Sequence, residues 1–286
     1  MAKIRISADS TCDLSKDIID KFDITIIPLS IIADGKSYKD GVEINSSDVF
    51  EITKKTGKLC STSAVNVYDY SVKFKELLSD ENDTLVHICI SSDFSTCYRN
   101  ACLAAEEFEN RVRVIDSRNL STGTGHIVYE AALMAENGYS LDEIESNMNE
   151  LTSRVEASFV IDQLDYLKQG GRCNALQAFG ASVLKLKPSI SVIEGKMTVG
   201  ETYRGSFEKC LKKYIKDKLD NRTDIVPDRC FITYSSAAPE IVSEIHKLVD
   251  SYCIFNEIIE TTAGCTVSSH CGPNTLGILF IRKKKD

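Results

Sequence analysis

Thr84-Leu85-Val86-His87-Ile88-Cys89-Ile90, the polar loop Ser91-Ser92-Asp93-Phe94-Ser95-Thr96 and the Ala-rich stretch from Tyr98 to Phe108 decide the fold. The apolar run has the length of a buried strand, and the alanines after the loop recur at helical spacing. A further apolar run, Val112-Arg113-Val114-Ile115, ends on Asp116-Ser117. Strand, loop, helix, strand marks a parallel α/β sheet, because only a crossover brings the chain back to start a parallel neighbour. Working outward, Ile4 to Asp9 reads as a strand and Leu14 to Phe22 as a helix with Asp13 as its N-cap. Ile24 to Ile32, broken by Pro28, reads as a second strand. Ser46 to Thr56, capped by Ser46 or Ser47, reads as a helix, as do Val67 to Leu78 and Thr122 to Asn137. Ligands of parallel sheets bind beyond the carboxyl ends of the strands. Asp9-Ser10-Thr11, the loop 91–96 and Asp116-Ser117 fall at those ends.

After a helix from Leu141 to Leu151 the pattern changes. Ser158 to Ile161 and Ser189 to Ile193 read as strands, and Lys196 to Tyr203 as the return arm of a hairpin turning at Glu194-Gly195. Leu164 to Lys187 has helical periodicity punctuated by Gly170-Gly171. Arg229 to Tyr234, Ile254 to Glu260 and Leu276 to Arg282 read as strands, with a helix from Pro239 to Ser251. The expectation is two domains: an N-terminal parallel α/β domain over residues 1–152 and a C-terminal α+β domain over residues 153–286.

Composition narrows the function. The 286 residues carry 34 Lys+Arg against 42 Asp+Glu, a formal charge of −8. Nucleic-acid binding needs clustered cations to neutralise phosphates, so this balance argues against it. The one dense basic run, Arg282 to Lys285, reads as a solvated end. No window approaches the roughly 18 apolar residues of a membrane span, and no signal peptide follows Met1. Eleven cysteines without a C-x-x-C pair read as reduced, mostly buried thiols of a cytoplasmic protein. Cys265, His270 and Cys271 are too sparse for a zinc site, so no metal and no cofactor is expected.

Two hydroxyl clusters stand out: Ser61-Thr62-Ser63, and Ser91, Ser92, Ser95 and Thr96. Short donors at a helix start suit a carboxylate or phosphate, though Thr62 or Ser95 as a plain helix cap accounts for them equally. Gly170-Gly171-Arg172 admits close backbone approach beside a planar cation, or is a helix C-cap followed by an exposed Arg. His270, in the turn-like Ser268 to Pro273, is a ligand donor, a proton carrier or a structural histidine. His87, His126 and His246 sit in strand or helix patterns and read as structural. Cys60 is the thiol beside the proposed anion site, without a neighbouring base to activate it. There is no Walker A loop, no G-x-G-x-x-G and no nucleophile elbow.

Several segments, in order, resemble the DegV family of fatty-acid-binding proteins. They are Asp9-Ser10-Thr11-Cys12-Asp13-Leu14, Ser61 to Asn66, Ser91 to Tyr98, Val114-Ile115-Asp116-Ser117, Leu167 to Arg172, Leu186-Lys187-Pro188 and His270 to Gly277. The resemblance runs from about Ile4 to Ile281. It implies a long-chain fatty acid such as palmitate in a tunnel between the two domains. It implies carboxylate donors at Thr62 and Ser95, with Ser63, Ser92 and Thr96 beside them and His270 and Arg172 in support. It also implies no catalysis by this chain, but presentation of the fatty acid to a separate fatty acid kinase that docks near Arg204. The sequence departs from the family pattern at Ala64-Val65 and at Asp93-Phe94, where glycines are lost and a carboxylate is added. Asp93 would repel the ligand's carboxylate unless it points to solvent. Two other readings stand beside the carrier: a small-anion phosphotransferase or hydrolase using His270 and Arg172, and a lipid-responsive regulatory sensor.

Overall fold

The computed structural model describes residues 3–173 and 186–284. The chain opens with strand β1 (Ile4–Asp9), helix α1 (Lys16–Lys21) and strand β2 (Thr25–Ile27). A small excursion follows: β3 (Ser30–Ala33), β4 (Lys36–Lys39), helix α2 (Ser46–Thr56) and β5 (Ser61–Ser63). Helix α3 (Val67–Leu77), β6 (Thr84–Cys89), α4 (Cys97–Ala105) and β7 (Val112–Asp116) complete the first sheet. That sheet is wholly parallel, in the order β2-β1-β6-β7. Both faces are covered, which is why β6, between two neighbours, reads as a near-continuous apolar run.

Helices α5 (Thr122–Glu136) and α6 (Leu141–Leu151) lead into a second sheet. Its strands are β8 (Val155–Ile161), β9 (Leu186–Ile193), β10 (Lys196–Arg204), β11 (Ile225–Ser235), β12 (Glu257–Thr262) and β13 (Thr275–Arg282). The order is β10-β9-β8-β13-β11-β12, antiparallel except for the β11–β12 pair. Helices α7 (Leu164–Gly170), α8 (Phe207–Leu219), α9 (Pro239–Asp250) and α10 (Cys265–Cys271) complete the chain. Among the described residues no helix is long and apolar enough to cross a membrane.

The two sheets share one core. Helix α5 packs on β1 and β6 on one side and on β8 and β13 on the other. Its Thr122–Tyr129 stretch is buried all round, and His126 Nε2 lies 3.0 Å from the Leu279 carbonyl oxygen. Such a helix has no polar face to place in water. A single apolar cluster therefore joins Ile6, Leu85 and Ile115 to Phe159, Phe231 and Leu279. The outer face of the second sheet, with Phe280 of β13, is covered by α8 through Tyr214 and by α9 through Ile245.

Several local expectations change. Ile24 to Ile32 is two strands in two sheets, because Pro28 offers no N–H to continue a ladder; Leu29 N bonds Ser10 Oγ instead, at 3.2 Å. Asp13 does not cap α1. It sits in the left-handed region with φ 50°, buried, accepting bonds from Ser121 Oγ at 2.6 Å and Gly264 N at 2.9 Å. Asn45, not Ser46 or Ser47, caps α2 in a capping box with Asp48. Helix α8 and strands β4 and β5 were not expected from the sequence, and the final parallel strand begins at Glu257 rather than Ile254. The helical reading of Leu164 to Lys187 holds for α7 and fails at Leu186, where β9 begins; its middle, 174–185, lies outside the described residues.

Candidate functional site

Thr62 owes its position to the small sheet. Strand β5 pairs with β3, Thr62 opposite Ile31, and a compact cluster of Ile31, Val49, Cys60 and Cys265 anchors that sheet to α10. Helix α10 in turn is fixed at its start by a carboxylate from elsewhere. Asp40 accepts from Cys265 N at 2.9 Å, Thr266 N at 3.2 Å and Thr266 Oγ1 at 2.7 Å. These are the orphan amides of a helix N-terminus, satisfied in trans. One turn further along, α10 delivers His270, whose Nε2 lies 2.8 Å from Thr62 Oγ1. His270 therefore stands in the last turn of a helix, not in a tight turn.

The Gly170-Gly171 pair serves both of its readings. Gly171, with φ 67°, ends α7 in the left-handed conformation. Gly170 lets α7 press on the imidazole: a Cβ there would lie 2.3 Å from His270 Nδ1. The close approach is thus to the histidine ring. Arg172 follows, its Nη1 donating to the Gly170 carbonyl at 2.7 Å and its Nε to the Phe94 carbonyl at 3.4 Å.

Thr62, Ser63, Ser92, Ser95, Thr96, Arg172 and His270 all line one cavity of about 630 Å³. It opens beyond the carboxyl end of β6 and is closed on its inner side by Leu29, Ile90, Leu120, Met197, Val267 and Cys271. Behind Leu120, Val267 and Cys271 lies a void of about 20 Å³ whose further walls include Phe159 and Leu279. The exposed or half-buried hydroxyls of residues 62, 63, 92, 95 and 96 thus form the cavity's mouth, and the buried Leu29, Ile90, Leu120, Met197 and Cys271, with the Thr266 hydroxyl among them, its floor. Arg204 is not part of it; it is exposed at the end of β10. Cys60 is not part of it either, being buried in the small-sheet cluster, and the thiol that faces the cavity is Cys271.

The helix-cap reading fails for Thr62, which is in a strand, and holds in part for Ser95. Thr96, the N-cap of α4, makes no side-chain cap bond. Ser95 accepts from Cys97 N, the first residue of α4, at 3.3 Å and donates to Cys97 Sγ at 3.2 Å. Asp93 does not point free to solvent: its carboxylate is paired with Arg118 Nη1 at 2.8 Å. Sequence reasoning missed Asp40 and Arg118, whose partners lie far along the chain and leave no local signal.

Electrostatics keep the mouth polar but the imidazole neutral. Burial, then the Arg172 charge, pushes His270 down to about 4. Burial pushes the Cys271 thiol up to about 12, so it is not a nucleophile at neutral pH. Thr62 and His270 have the spacing of a nucleophile and its base, but Nδ1, which a third group orients in a catalytic triad, is buried against Gly170 with no hydrogen-bond partner among the described residues. Among the described residues the one trio with metal-ligand spacing is Asp9, His87 and Cys89, all buried. Asp9 is already committed there to the Tyr70 hydroxyl at 2.5 Å and Ile90 N at 3.1 Å.

With this geometry, similarity to known proteins is informative. The family profile described as "Uncharacterised protein, DegV family" matches residues 3–283. A DegV domain-containing protein of Caldanaerobacter subterraneus subsp. tengcongensis is 33% identical over 284 residues, covering 99% of this chain and 100% of its own. A DegV family protein of Thermus thermophilus, described as fatty-acid-binding, superposes with a TM-score of 0.88 at 28% identity, covering 98% of this chain and 99% of its own. A stearic-acid-binding protein of Eubacterium ventriosum gives a TM-score of 0.85 at 28% identity, covering 99% of both chains. The profile and the full-length relatives agree with the order of the motifs along the sequence: this chain belongs to the DegV family.

Proposed function

We propose that this chain is a cytoplasmic carrier that binds a long-chain fatty acid such as palmitate between its two halves, residues 1–152 and 153–286. It would present the carboxylate to a separate fatty acid kinase rather than catalyse a reaction itself. The observation that carries the reading is the polarity of the 630 Å³ cavity: Thr62 bonded to His270 at the mouth, and Leu29, Ile90, Leu120 and Val267 at the floor. Its volume falls within the roughly 300–1,000 Å³ of ligand sites. The relatives described as binding fatty acids support the same ligand class.

In this reading a neutral His270 donates from Nε2 to Thr62 Oγ1, which leaves the threonine hydroxyl hydrogen for the ligand carboxylate. That tautomer also leaves Nδ1 as a bare acceptor over Gly170 rather than a stranded donor. Ser95 supplies a second hydroxyl, with Ser63, Ser92 and Thr96 around it and Arg172 adding positive potential. The energetics follow from burial: each CH₂ removed from water contributes about 0.8 kcal/mol, so about fourteen methylenes supply on the order of 10 kcal/mol. That comfortably offsets much of the 4 or more kcal/mol of association cost. The head group then needs only a few donors to fix its orientation. Exposure of Ser92, Thr96 and Arg204 is compatible with a kinase reaching the carboxylate from outside.

Displacement of a fluorescent long-chain fatty acid from the protein tests the ligand class. Palmitate should displace it stoichiometrically, whereas inorganic phosphate and acetate should not. Displacement by phosphate with no effect of palmitate would instead support the small-anion enzyme reading.

A further inference from the structure

The loop that carries Ser92, Ser95 and Thr96 is not held by its own half of the molecule alone. Its Asp93, which stands where the family pattern has glycine, lines the mouth of the cavity. An unpaired carboxylate at that place repels an incoming carboxylate. Arg118 meets it. Nη1 lies 2.8 Å from Asp93 Oδ2 and 3.3 Å from Ser92 Oγ, and Nη2 donates to the carbonyl oxygen of Glu194 in the β9–β10 turn. Ser91 Oγ donates to the next carbonyl of that turn, Gly195, at 2.8 Å. One guanidinium thus bridges the loop after β6 to a hairpin turn of the second sheet.

The surroundings are built around this bridge. Gly195 has φ 81°, and a Cβ there would lie 2.6 Å from Arg118 Cζ, so the turn packs directly against the guanidinium. Arg118 itself has φ 50°, a region that non-glycine residues seldom occupy. Asp116 Oδ1 holds it there by accepting from Arg118 N at 2.9 Å, and it also accepts from Ser92 N at 3.1 Å. Lys196 is the only other cation paired with Asp93 among the described residues, at 3.8 Å with its side chain 69% exposed. A pair that exposed and that long contributes little. Met197, two residues past Gly195 on β10, lines the same cavity, so the bridged hairpin is part of the ligand's enclosure.

We propose that Arg118 is a positioning residue for ligand retention: it neutralises Asp93 at the cavity mouth and holds the hydroxyl-bearing loop against the β9–β10 turn. The proposal rests on the fatty-acid reading for its functional consequence and on the geometry alone for the bridge. It makes the release rate sensitive to salt, since the Arg118–Asp93 side chains are 37% and 26% exposed and a partly exposed pair is screened more as the Debye length falls from about 10 Å near 0.1 M salt to about 3 Å near 1 M.

The test follows dissociation of a fluorescent C18 fatty acid from wild type, Arg118→Gln, and Arg118→Gln with Asp93→Asn, at about 0.02 M and about 0.5 M salt. Wild-type release should quicken several-fold with salt. Arg118→Gln should release about tenfold faster at low salt and lose that acceleration, as expected for loss of one charge-assisted contact. Adding Asp93→Asn should recover part of the lost affinity, because the unpaired carboxylate is gone, and leave the remainder, because the bridge to Glu194 and Ser92 is not rebuilt. Wild-type rates and salt dependence in Arg118→Gln overturn the proposal, as does failure of Asp93→Asn to recover any of the affinity. If wild type binds no fatty acid, the ligand reading fails while the bridge stays testable by hydrogen exchange without ligand. Arg118→Gln should then speed exchange at the amides of residues 91–96 and 193–197 together, and unchanged exchange at both overturns the bridge.

Discussion

His270 Nε2 and Thr62 Oγ1, 208 positions apart in the chain, lie 2.8 Å from each other. The bond joins the small β3–β4–β5 sheet to helix α10 beside the cavity that both residues line, and the proposed head-group site depends on both holding their places.

Removing that hydroxyl tests the head-group assignment. Thr62→Ala should weaken fatty-acid binding by roughly tenfold to a hundredfold, the loss of a hydrogen bond to a charged group worth about 1.5–3 kcal/mol. Thr62→Ala with Ser95→Ala should weaken it further. Competition with a fluorescent fatty acid measures both, and unchanged affinity in the double variant removes these residues from the site.

Gly170→Ala should be more damaging than a surface glycine replacement. The added methyl overlaps His270 Nδ1 at 2.3 Å, so either α7 or the imidazole must move. Overpacking of this kind costs about 1–3 kcal/mol. A lowered melting temperature together with weakened fatty-acid binding is expected. Gly171→Ala is the contrast, because φ 67° strains the backbone there while no atom lies within 4 Å of the new methyl. It should lower stability with little effect on affinity.

Two buried groups set opposite pH dependences. Burial holds His270 near 4, below its ordinary value of 6.5. Its contribution to stability is intact above about 6.5 and is lost as the pH falls toward 4. Burial raises Asp13 from 3.8 to about 7, offset in part by its bonds to Ser121 and Gly264. Its contribution is intact below about 3.8 and is lost as the pH rises toward 7. Asp13→Asn should therefore flatten the fall in stability between about pH 4 and 7 and gain stability relative to wild type at pH 8. Chemical denaturation at pH 5 and pH 8 gives the comparison, and an equal stability difference at both counts against it.

Much of the framework was legible from sequence, for identifiable reasons. Strand β6 is buried along nearly its whole length, so it appears as an apolar run, while β1 and β7 carry enough Ile and Val between Arg5, Ser7 and Arg113 to read as strands. The turn at Glu194-Gly195 is legible because a tight hairpin needs positive φ, and both residues have it. The small sheet was hidden because Ser61-Thr62-Ser63 and Lys36 to Lys39 carry no apolar alternation; pairing with β3, not burial, makes them strands. Thr62, Ser95 and His270 stand out in the sequence as members of hydroxyl clusters and a histidine near a Gly-Pro turn, and the family pattern adds the roles proposed for them. Asp40 does not stand out, because the amides it caps are 225 and 226 positions away. Asp93 was noticed but its pairing was not, since nothing near it in sequence announces Arg118.

Arg204→Ala tests the proposed partner contact. Arg204 is exposed and outside the cavity. The variant should bind fatty acid with wild-type affinity while slowing phosphorylation of the bound lipid by a fatty acid kinase. Equal phosphorylation rates remove Arg204 from docking.

The most direct test of the carrier account is mass spectrometry of lipid extracted from the denatured, freshly purified protein, followed by reloading with palmitate. The account predicts near-stoichiometric long-chain fatty acid, reduced in Thr62→Ala with Ser95→Ala and restored in wild type on reloading. Protein that yields no fatty acid and takes up none when palmitate is supplied contradicts it.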